Sequence, residues 1–384
     1  MGAGIAQAAA HAGYKVVLKD IDKKFIDQGM SKITKLFDGL VERHKIKLEE
    51  RNKKLADIKA TTDYADMADC DLVVEAVLED MKIKTETLHA IEQVIQKPFI
   101  FATNTSSLSV NELAAASANP DRVVGIHFFN PVHKMPLVEI VKGAATSPET
   151  LAAAQSFALK LGKTTVVTAD APGFVVNRIL VPYLREALVL LEEGVPPESI
   201  ERAATSFGMP MGPFTLLDEI GLDIGVKVTH VLHETLGARL APPPLMAKLE
   251  TLKLLGKKGG KGFYLYEEGK RTEFNSGVLD LIEVPTNKKQ IGEIQDRLFL
   301  IMLNEATRCL QEGVVKDAAL LDLALIFGIG FPPYRGGILR YADHVGLKII
   351  HQKLAFLSQV NGENYAPTEI LLEKVATHTN FYHS

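Results

Sequence analysis

The chain has 384 residues, 47% hydrophobic and 23% charged, which is typical of a globular protein with room for two or three domains. Its net charge of −4 gives no reason to expect a nucleic-acid partner, and no apolar stretch approaches the roughly 18 residues that a membrane span needs. Two cysteines and a start without the features of a secretory signal predict a reducing compartment, either a bacterial cytoplasm or an organelle matrix.

The first twenty residues have the pattern of half a dinucleotide-binding unit. A helix of small residues at 2–13 precedes an apolar strand at 14–20. Gly2 stands where the third glycine of a GxGxxG motif would lie, at the start of the helix. Asp20 ends the strand, where a carboxylate holds the ribose 2′-hydroxyl and repels a 2′-phosphate. The pattern therefore favours NAD over NADP.

Residues 23–57 are helical in period and unusually basic, which predicts a helical hairpin projecting from the sheet. Two interpretations of the basic side chains remain open here. They form either an ordinary solvated face or a binding surface for an anionic part of a substrate, such as a nucleotide phosphate. The residues are Lys32, Lys35, Arg43, Lys45, Lys47, Arg51, Lys53 and Lys54.

Strands at 71–77 and 98–104, separated by a helix at about 81–96, continue an α/β alternation. This alternation predicts a doubly wound, mainly parallel sheet. Ligands of such sheets bind at the carboxyl ends of the strands. The polar residues that fall at those ends are Glu79, Asn104, Ser106, Ser107 and His127.

The segment 123–141 predicts a proton-transfer pair. One apolar run reaches His127, the chain turns at Pro131, and a second apolar run carries Glu139, so the two side chains can meet across adjacent strands. Imidazole has an unperturbed pKa of roughly 6.5, and a carboxylate on its far nitrogen orients the ring and stabilises its protonated form. The spacing alone is equally compatible with a core histidine beside an incidental glutamate.

After residue 168 the strands largely stop, and the chain carries two related helical modules. A long helix opens at 172–178 and reaches Gly194. The segment from Arg178 to Gly194 recurs from Arg297 to Gly313, and Leu217-Asp218 recurs as Ala342-Asp343. At the position of Asn177 the second copy has Asp296, so the second copy is expected to be structural.

Between the two copies, glycines alternate with three lysines in residues 256–262, including Lys258. This predicts either a cationic loop able to approach a phosphate or cofactor, or an exposed basic turn. His230 and His233 share a helix face, but no further ligands complete a metal site there, so no metal is expected.

Four motifs in order resemble those of the L-3-hydroxyacyl-CoA dehydrogenases. The doubled helical module and the segment 327–333 resemble in particular the dehydrogenase part of the multifunctional fatty acid oxidation α subunit, and the similarity covers essentially the whole chain. The motifs are Asn104-Thr105-Ser106-Ser107-Leu108, the residues 125–131, Leu137-Val138-Glu139-Ile140-Val141, and the residues 172–178.

The resemblance implies a role for each matching residue. His127 would act as general base, oriented by Glu139, in the NAD-dependent oxidation of L-3-hydroxyacyl-CoA to 3-oxoacyl-CoA, and Ser106 and Asn177 would hold the reacting oxygens. The basic hairpin corresponds to the region that contacts coenzyme A. The positions that match the NAD site, besides Gly2, are Asp20, Glu79, Lys84, Asn104 and Lys258.

The family pattern also sets the expected domains: a Rossmann-type NAD-binding domain at 1–171 and helical domains at 172–285 and 286–384. Family members have a first strand and a complete GxGxxG before the point where this sequence starts. We therefore expect a sheet without its first strand, a chain truncated at its N-terminus, and weak NAD binding.

The implied partners are an acyl-CoA substrate, a second copy in a homodimer, a thiolase subunit and an upstream enoyl-CoA hydratase region. Two alternatives to the L-3-hydroxyacyl-CoA dehydrogenase remain: a catalytically impaired assembly fragment of the oxidation complex, and a short-chain 3-hydroxybutyryl-CoA dehydrogenase.

Overall fold

A computed structural model describes residues 1–382, which form two compact units, Met1–Asp170 and the chain from Ala171 onward. The first unit alternates strands and helices, whereas the second is mainly helical. The predicted order, an α/β Rossmann-type region followed by a helical region, is confirmed.

The first unit contains six helices and seven strands. In chain order they are α1 (Gly2–His11), β1 (Val16–Lys19), α2 (Lys23–Glu42), α3 (Leu48–Ala56), β2 (Ile58–Thr61), β3 (Leu72–Glu75), α4 (Met81–Val94), β4 (Ile100–Thr103), α5 (Val110–Ala115), β5 (Val123–Phe128), β6 (Leu137–Lys142), α6 (Pro148–Lys160) and β7 (Thr164–Ala169).

The strands form two sheets. β1 and β2 pair in parallel, and a five-stranded sheet has the order β3-β4-β5-β6-β7, in which only the β5–β6 pair is antiparallel. All six residues of β5 are buried, because helices cover both faces of a sheet of this kind. The predicted mainly parallel, doubly wound arrangement is therefore present, with one antiparallel turn at residues 129–136.

The strands β1 and β3 each have an edge that faces no other strand within residues 1–382. β1 pairs only with β2, and β3 pairs only with β4. Helix α1 contacts both sheets: a methyl group on Gly2 would lie 4.0 Å from Cβ of Ala76, directly after β3, while Ala3 and Leu18 pack on one apolar cluster.

The basic segment forms two helices, α2 and α3, in agreement with the predicted helical hairpin. Asp22 caps α2 by accepting a hydrogen bond of 2.7 Å from the backbone N–H of Lys24. Ile33 and Phe37 lie one turn apart on the buried face of α2, and six of the eight basic residues are exposed. The exposed residues are Lys32, Lys35, Arg43, Lys45, Lys47 and Lys53.

The second unit consists of eleven helices and one short hairpin within the described residues. They are α7 (Val176–Glu192), α8 (Pro197–Phe207), α9 (Pro213–Ile220), α10 (Leu222–Leu236), α11 (Pro244–Thr251), β8 (Tyr264–Glu267), β9 (Lys270–Phe274), α12 (Ser276–Leu279), α13 (Ile291–Gln311), α14 (Ala318–Ile329), α15 (Ile338–Val345), α16 (Leu347–Asn361) and α17 (Glu369–Thr377).

Two local features of the second unit differ from the sequence prediction. Helix α7 begins at Val176 rather than at residue 172, because Gly173 and Phe174 both have positive φ angles, 71° and 51°. The β8–β9 hairpin was not expected in a helical region. Its two-residue turn, Glu268-Gly269, has φ angles of 49° and 76°, the signs that a tight hairpin turn requires.

The internal repeat is visible as two reciprocal ion pairs between α7 and α13. Nε of Arg178 donates to Glu305 at 2.7 Å, and Nε of Arg297 donates to Glu186 at 2.6 Å. Arg297 and Glu305 each lie 119 residues after Arg178 and Glu186. Each module therefore supplies the same arginine and the same glutamate to the other.

The aspartates of the repeat also occupy equivalent positions. Asp218 accepts hydrogen bonds of 2.9 Å from the backbone N–H groups of Phe263 and Tyr264. In the second module, Asp343 accepts hydrogen bonds of 2.9 Å from the corresponding residues, 381 and 382. The two sequence copies thus fold around the same carboxylate-to-backbone contact.

Candidate functional site

His127 and Glu139 lie directly opposite each other on the antiparallel strands β5 and β6. Nδ1 of His127 is 2.8 Å from Oε2 of Glu139, and both side chains are buried, with exposures of 6% and 0%. The predicted pair is therefore a direct contact. Strand register produces it, because residues opposite each other on neighbouring strands point their side chains to the same face.

This contact determines which ring nitrogen of His127 is basic. A carboxylate accepts hydrogen bonds, so this contact favours the tautomer in which the N–H lies at Nδ1 and donates a hydrogen bond to Oε2 of Glu139. Nε2 is then the ring nitrogen able to accept a proton, and Glu139 stabilises the positive charge that results. Such a pair can serve as a general base with an orienting carboxylate.

Glu79 accepts hydrogen bonds from the loop that follows β4, residues 105–107. Its Oε1 lies 2.7 Å from Oγ1 of Thr105, 2.8 Å from the backbone nitrogen of Ser106 and 3.1 Å from that of Ser107. The hydroxyl of Ser106 is the most distant donor to this oxygen, at 3.2 Å. The structure thus brings Glu79 and Ser106 together, as their shared sheet edge predicts.

The pKa of Glu79 lies below its ordinary value. Burial alone raises the pKa, but the hydrogen bond from Thr105, the charge of Lys84 and the backbone N–H of Ser106 outweigh the burial. Glu79 is therefore ionised at neutral pH and suited to accept several hydrogen bonds.

Asn104 connects this loop to the strand that carries His127. Its Oδ1 accepts a hydrogen bond of 2.9 Å from the backbone N–H of Phe128, the residue after His127. Asn104 therefore holds the carboxyl ends of β4 and β5 together, beside the proposed base.

Lys84 is buried, whereas a residue that contacts a cofactor is expected to be exposed. Its side chain is 1% exposed, and its Nζ lies 2.9 Å from Glu75 and 3.4 Å from Glu79. The ammonium group is thus bound to two carboxylates of its own unit. Glu75, which the sequence reasoning missed, is the one charged residue in the apolar strand β3, and that pattern could have identified it.

Asp20 and Gly2 are placed as the half-motif predicts. Asp20 follows β1 and is exposed, with Oδ1 accepting a hydrogen bond of 2.8 Å from the backbone N–H of Ile21. Gly2 is the first residue of α1, where the positive end of the helix favours an anion. Ile21 and Leu78, at the ends of β1 and β3, are 79% and 73% exposed, large apolar side chains suited to a flat aromatic ring. These residues fit a dinucleotide.

Asn177 and Lys258 belong to the second unit. Asn177 is the second residue of α7 and is half-buried. Nζ of Lys258 pairs with Asp223 at 2.6 Å, and the Lys258 side chain is 46% exposed. In the second module, Asp296, at the position of Asn177, pairs with Lys353 at 2.8 Å. That ion pair supports the structural role expected of the second copy.

Neither a metal-binding cluster nor a membrane-spanning helix occurs among the described residues 1–382. No group of three or more histidine, cysteine, aspartate or glutamate side chains within residues 1–382 has the geometry to hold a metal ion. Across the same residues, no helix combines the length and apolar character that crossing a membrane requires.

Comparison with known families identifies both units. The NAD-binding domain of 3-hydroxyacyl-CoA dehydrogenase matches residues 1–171, and the C-terminal domain of the same enzyme matches residues 173–266 and again 292–381. The chain belongs to the 3-hydroxyacyl-CoA dehydrogenase family. The first match indicates NAD as the cofactor, and the doubled second match agrees with the internal repeat.

Curated proteins that resemble this chain agree with the family assignment. The chain is 42% identical to the fatty acid oxidation complex subunit alpha of Shewanella amazonensis and 40% identical to that of Vibrio cholerae, in each case over 100% of its own length. It spans 55% and 54% of those proteins. The chain thus corresponds to about half the length of the curated relatives it matches.

Solved structures share the fold. The 3-hydroxybutyryl-CoA dehydrogenase of Escherichia coli is 27% identical, with a TM-score of 0.86 over 98% of this chain and 96% of that one. The dehydrogenase part of multifunctional enzyme 1 from C. elegans is 29% identical, with a TM-score of 0.67 over 97% of this chain and 86% of that one.

Proposed function

We propose that this chain oxidises L-3-hydroxyacyl-CoA to 3-oxoacyl-CoA in fatty acid β-oxidation. The observation that carries the proposal is the 2.8 Å contact between His127 and Glu139 at the carboxyl edge of the family's NAD-binding domain. NAD, when bound, accepts the hydride that leaves C3 of the substrate. The other groups that the reaction needs belong to the chain.

His127 is the proposed general base. Its Nε2 takes the proton of the 3-hydroxyl group, and Glu139 stabilises the imidazolium that forms. Both are buried, so water screens their interaction little. In the reverse direction the imidazolium returns the proton to the 3-oxo oxygen, as microscopic reversibility requires.

Ser106 and Asn177 are the proposed donors to the substrate's oxygens. Hydrogen bonds to an oxygen that gains negative charge in the transition state lower the barrier more than they stabilise the ground state. Ser106 suits this role because its hydroxyl is the donor least closely held by Glu79, at 3.2 Å. Asn177 is included because it occupies the position in α7 to which the family resemblance assigns this role.

For the cofactor, we propose that Asp20 binds the adenosine ribose and that the N-terminus of α1 at Gly2 lies near the pyrophosphate. Glu79, Asn104 and Lys258 remain proposed cofactor-site residues. The exposed lysines of α2 and α3 form the proposed contact surface for the coenzyme A phosphates.

The test is NADH-dependent reduction of acetoacetyl-CoA, measured on the longest natural polypeptide that contains this sequence. Activity should be present. His127→Gln should lower kcat by roughly 10²-fold or more, because the glutamine amide cannot act as a base. His89→Gln is the matched control, since His89 is exposed on α4. An unchanged rate in the His127 variant would remove it from the role of base.

A short-chain 3-hydroxybutyryl-CoA dehydrogenase is the second candidate. The 0.86 TM-score against the E. coli enzyme of that name favours it. Comparison of kcat/KM for acetoacetyl-CoA and for a long-chain 3-oxoacyl-CoA decides between the two. A preference for the four-carbon substrate would support the short-chain enzyme.

The names of the curated relatives suggest assembly into a fatty acid oxidation complex. We propose a thiolase subunit and an enoyl-CoA hydratase region as partners, a homodimer as a further possibility, and a cytoplasmic or organelle-matrix location. Co-purification of thiolase activity with the tagged natural protein tests the complex, and the mass in solution tests the homodimer. An assembly role without catalysis would show as thiolase capture with no reductase activity.

A further inference from the structure

The amine of Lys84 is enclosed by protein. Helix α4 places the amine beside Glu75, at the carboxyl end of β3, and the Lys84 side chain is 1% exposed. Nζ lies 2.9 Å and 3.0 Å from the two oxygens of Glu75, whose carboxylate also accepts a hydrogen bond of 2.7 Å from Oγ1 of Thr103. A group buried to this degree cannot contact a bound molecule without a rearrangement of its two partners.

The second partner of Lys84 leads to the proposed substrate site. Nζ is 3.4 Å from Oε2 of Glu79. The other oxygen of that carboxylate, Oε1, has five donors of residues 105–107 within 3.2 Å: the hydroxyl groups of Thr105, Ser106 and Ser107, and the backbone N–H groups of Ser106 and Ser107. One carboxylate oxygen of Glu79 therefore contacts Lys84, and the other contacts the loop of residues 105–107.

We propose that Lys84 is a positioning residue that acts through Glu79 on the Ser106 hydroxyl, and that it is not a cofactor ligand. The inference rests on the proposed function, because it assigns Ser106 to the substrate's oxygen. It differs from the assignment that the family resemblance implied for Lys84.

The charge of Lys84 has two consequences for Glu79. It fixes Oε2, so that Oε1 points at the loop, and it compensates the cost of keeping a largely buried carboxylate ionised. One carboxylate oxygen has about two lone-pair sites, so the five donors compete for Oε1 and cannot all bind it fully at once. With Oε1 shared among five donors, the Ser106 hydroxyl, at 3.2 Å, can turn to a substrate oxygen without leaving the loop unsupported.

The main variant is Lys84→Met, which keeps the length of the side chain and removes the charge. Lys82→Met is the matched control, because Lys82 lies on the same helix and is 85% exposed. Lys84→Met leaves Glu75 unpaired in the core and can prevent folding. For that reason the double variant Lys84→Met/Glu75→Gln, which removes both buried charges, is made in parallel.

Kinetics separate a positioning role from cofactor binding. We expect kcat to fall about tenfold or more in the Lys84 variants, as for other groups that orient a reacting residue. The dissociation constant of NADH should rise by a smaller factor, because Glu79 is also a proposed cofactor-site residue. In a Ser106→Ala background, Lys84→Met should cause no further loss of kcat, because the two residues act as one unit. Weaker NADH binding with unchanged kcat, or fully additive losses, would overturn the proposal.

Hydrogen exchange gives a readout that does not depend on activity. The amides of Ser106 and Ser107 donate to Glu79, so they should exchange faster in the Lys84 variants than in the Lys82 control, without any substrate or cofactor. Unchanged exchange would show that Lys84 does not hold the loop. If the parent protein has no reductase activity, the proposed function fails, whereas this measurement still decides whether Lys84 positions the loop.

Discussion

At the scale of single residues, the proposed chemistry depends on which side chains the strand ends bring together. His127 and Glu139 meet because they occupy opposite positions on β5 and β6, a register that their two apolar runs already indicated. The burial of Lys84 was not predictable in the same way. A lysine in an amphipathic helix is usually exposed, and only the packing of α4 beneath Glu75 and Glu79 encloses this one.

We propose that one exposed carboxylate, Asp20, makes the enzyme prefer NAD to NADP. Asp20→Ala should raise the ratio of kcat/KM for NADPH to that for NADH by about tenfold, because the carboxylate no longer repels the 2′-phosphate. Kinetics with both cofactors measure the ratio. Asp27→Ala, which removes an exposed carboxylate from α2, should leave it unchanged. An unchanged preference in the Asp20 variant would mean that another group recognises the ribose.

At the scale of elements, the sequence predicted most helices and strands of the first unit, because strand and helix periods alternate along most of it. The elements β2, α5 and α6 were not predicted. The strand expected at 98–104 is present as Ile100–Thr103, and the helix expected at 81–96 as Met81–Val94. The β8–β9 hairpin and the late start of α7 were missed. Both depend on non-glycine residues with positive φ, Glu268 and Phe174, which side-chain pattern does not reveal.

The α7–α13 contact gives a prediction about stability. Arg297→Met should lower the free energy of unfolding by about 3 kcal/mol, because Glu186 is left buried without its main partner. The pKa of Glu186 is already raised by burial, against the opposing charge of Arg297, so its carboxylate depends on that arginine.

Arg178→Met should cost less, although it lies at the equivalent position. Its partner Glu305 keeps contacts of 3.4 Å with Arg239 and 3.7 Å with Arg308. Urea denaturation measures the free energy of unfolding of all variants. The control is Lys353→Met, which removes an exposed pair and should lower that free energy by less than about 1 kcal/mol. Equal losses for the two arginines would contradict this account of their environments.

At the scale of the whole molecule, the first unit contains two sheets connected through helix α1. The amides of β1 and β2 should exchange with solvent faster than those of β4, β5 and β6, because a two-stranded sheet with an open edge can open locally at low cost. Native-state hydrogen exchange measures the difference. Equal protection of the two sheets would show that they open only together.

The reciprocal pairs between α7 and α13 also change how the second unit responds to dilution. A contact in which both sides offer the same arginine and the same glutamate has the form of a two-fold symmetric dimer interface. Between separate chains, such an interface dissociates as the protein concentration falls. Here both sides belong to one polypeptide, so the intervening chain sets their effective concentration. The two modules therefore remain associated at any protein concentration at which the enzyme works.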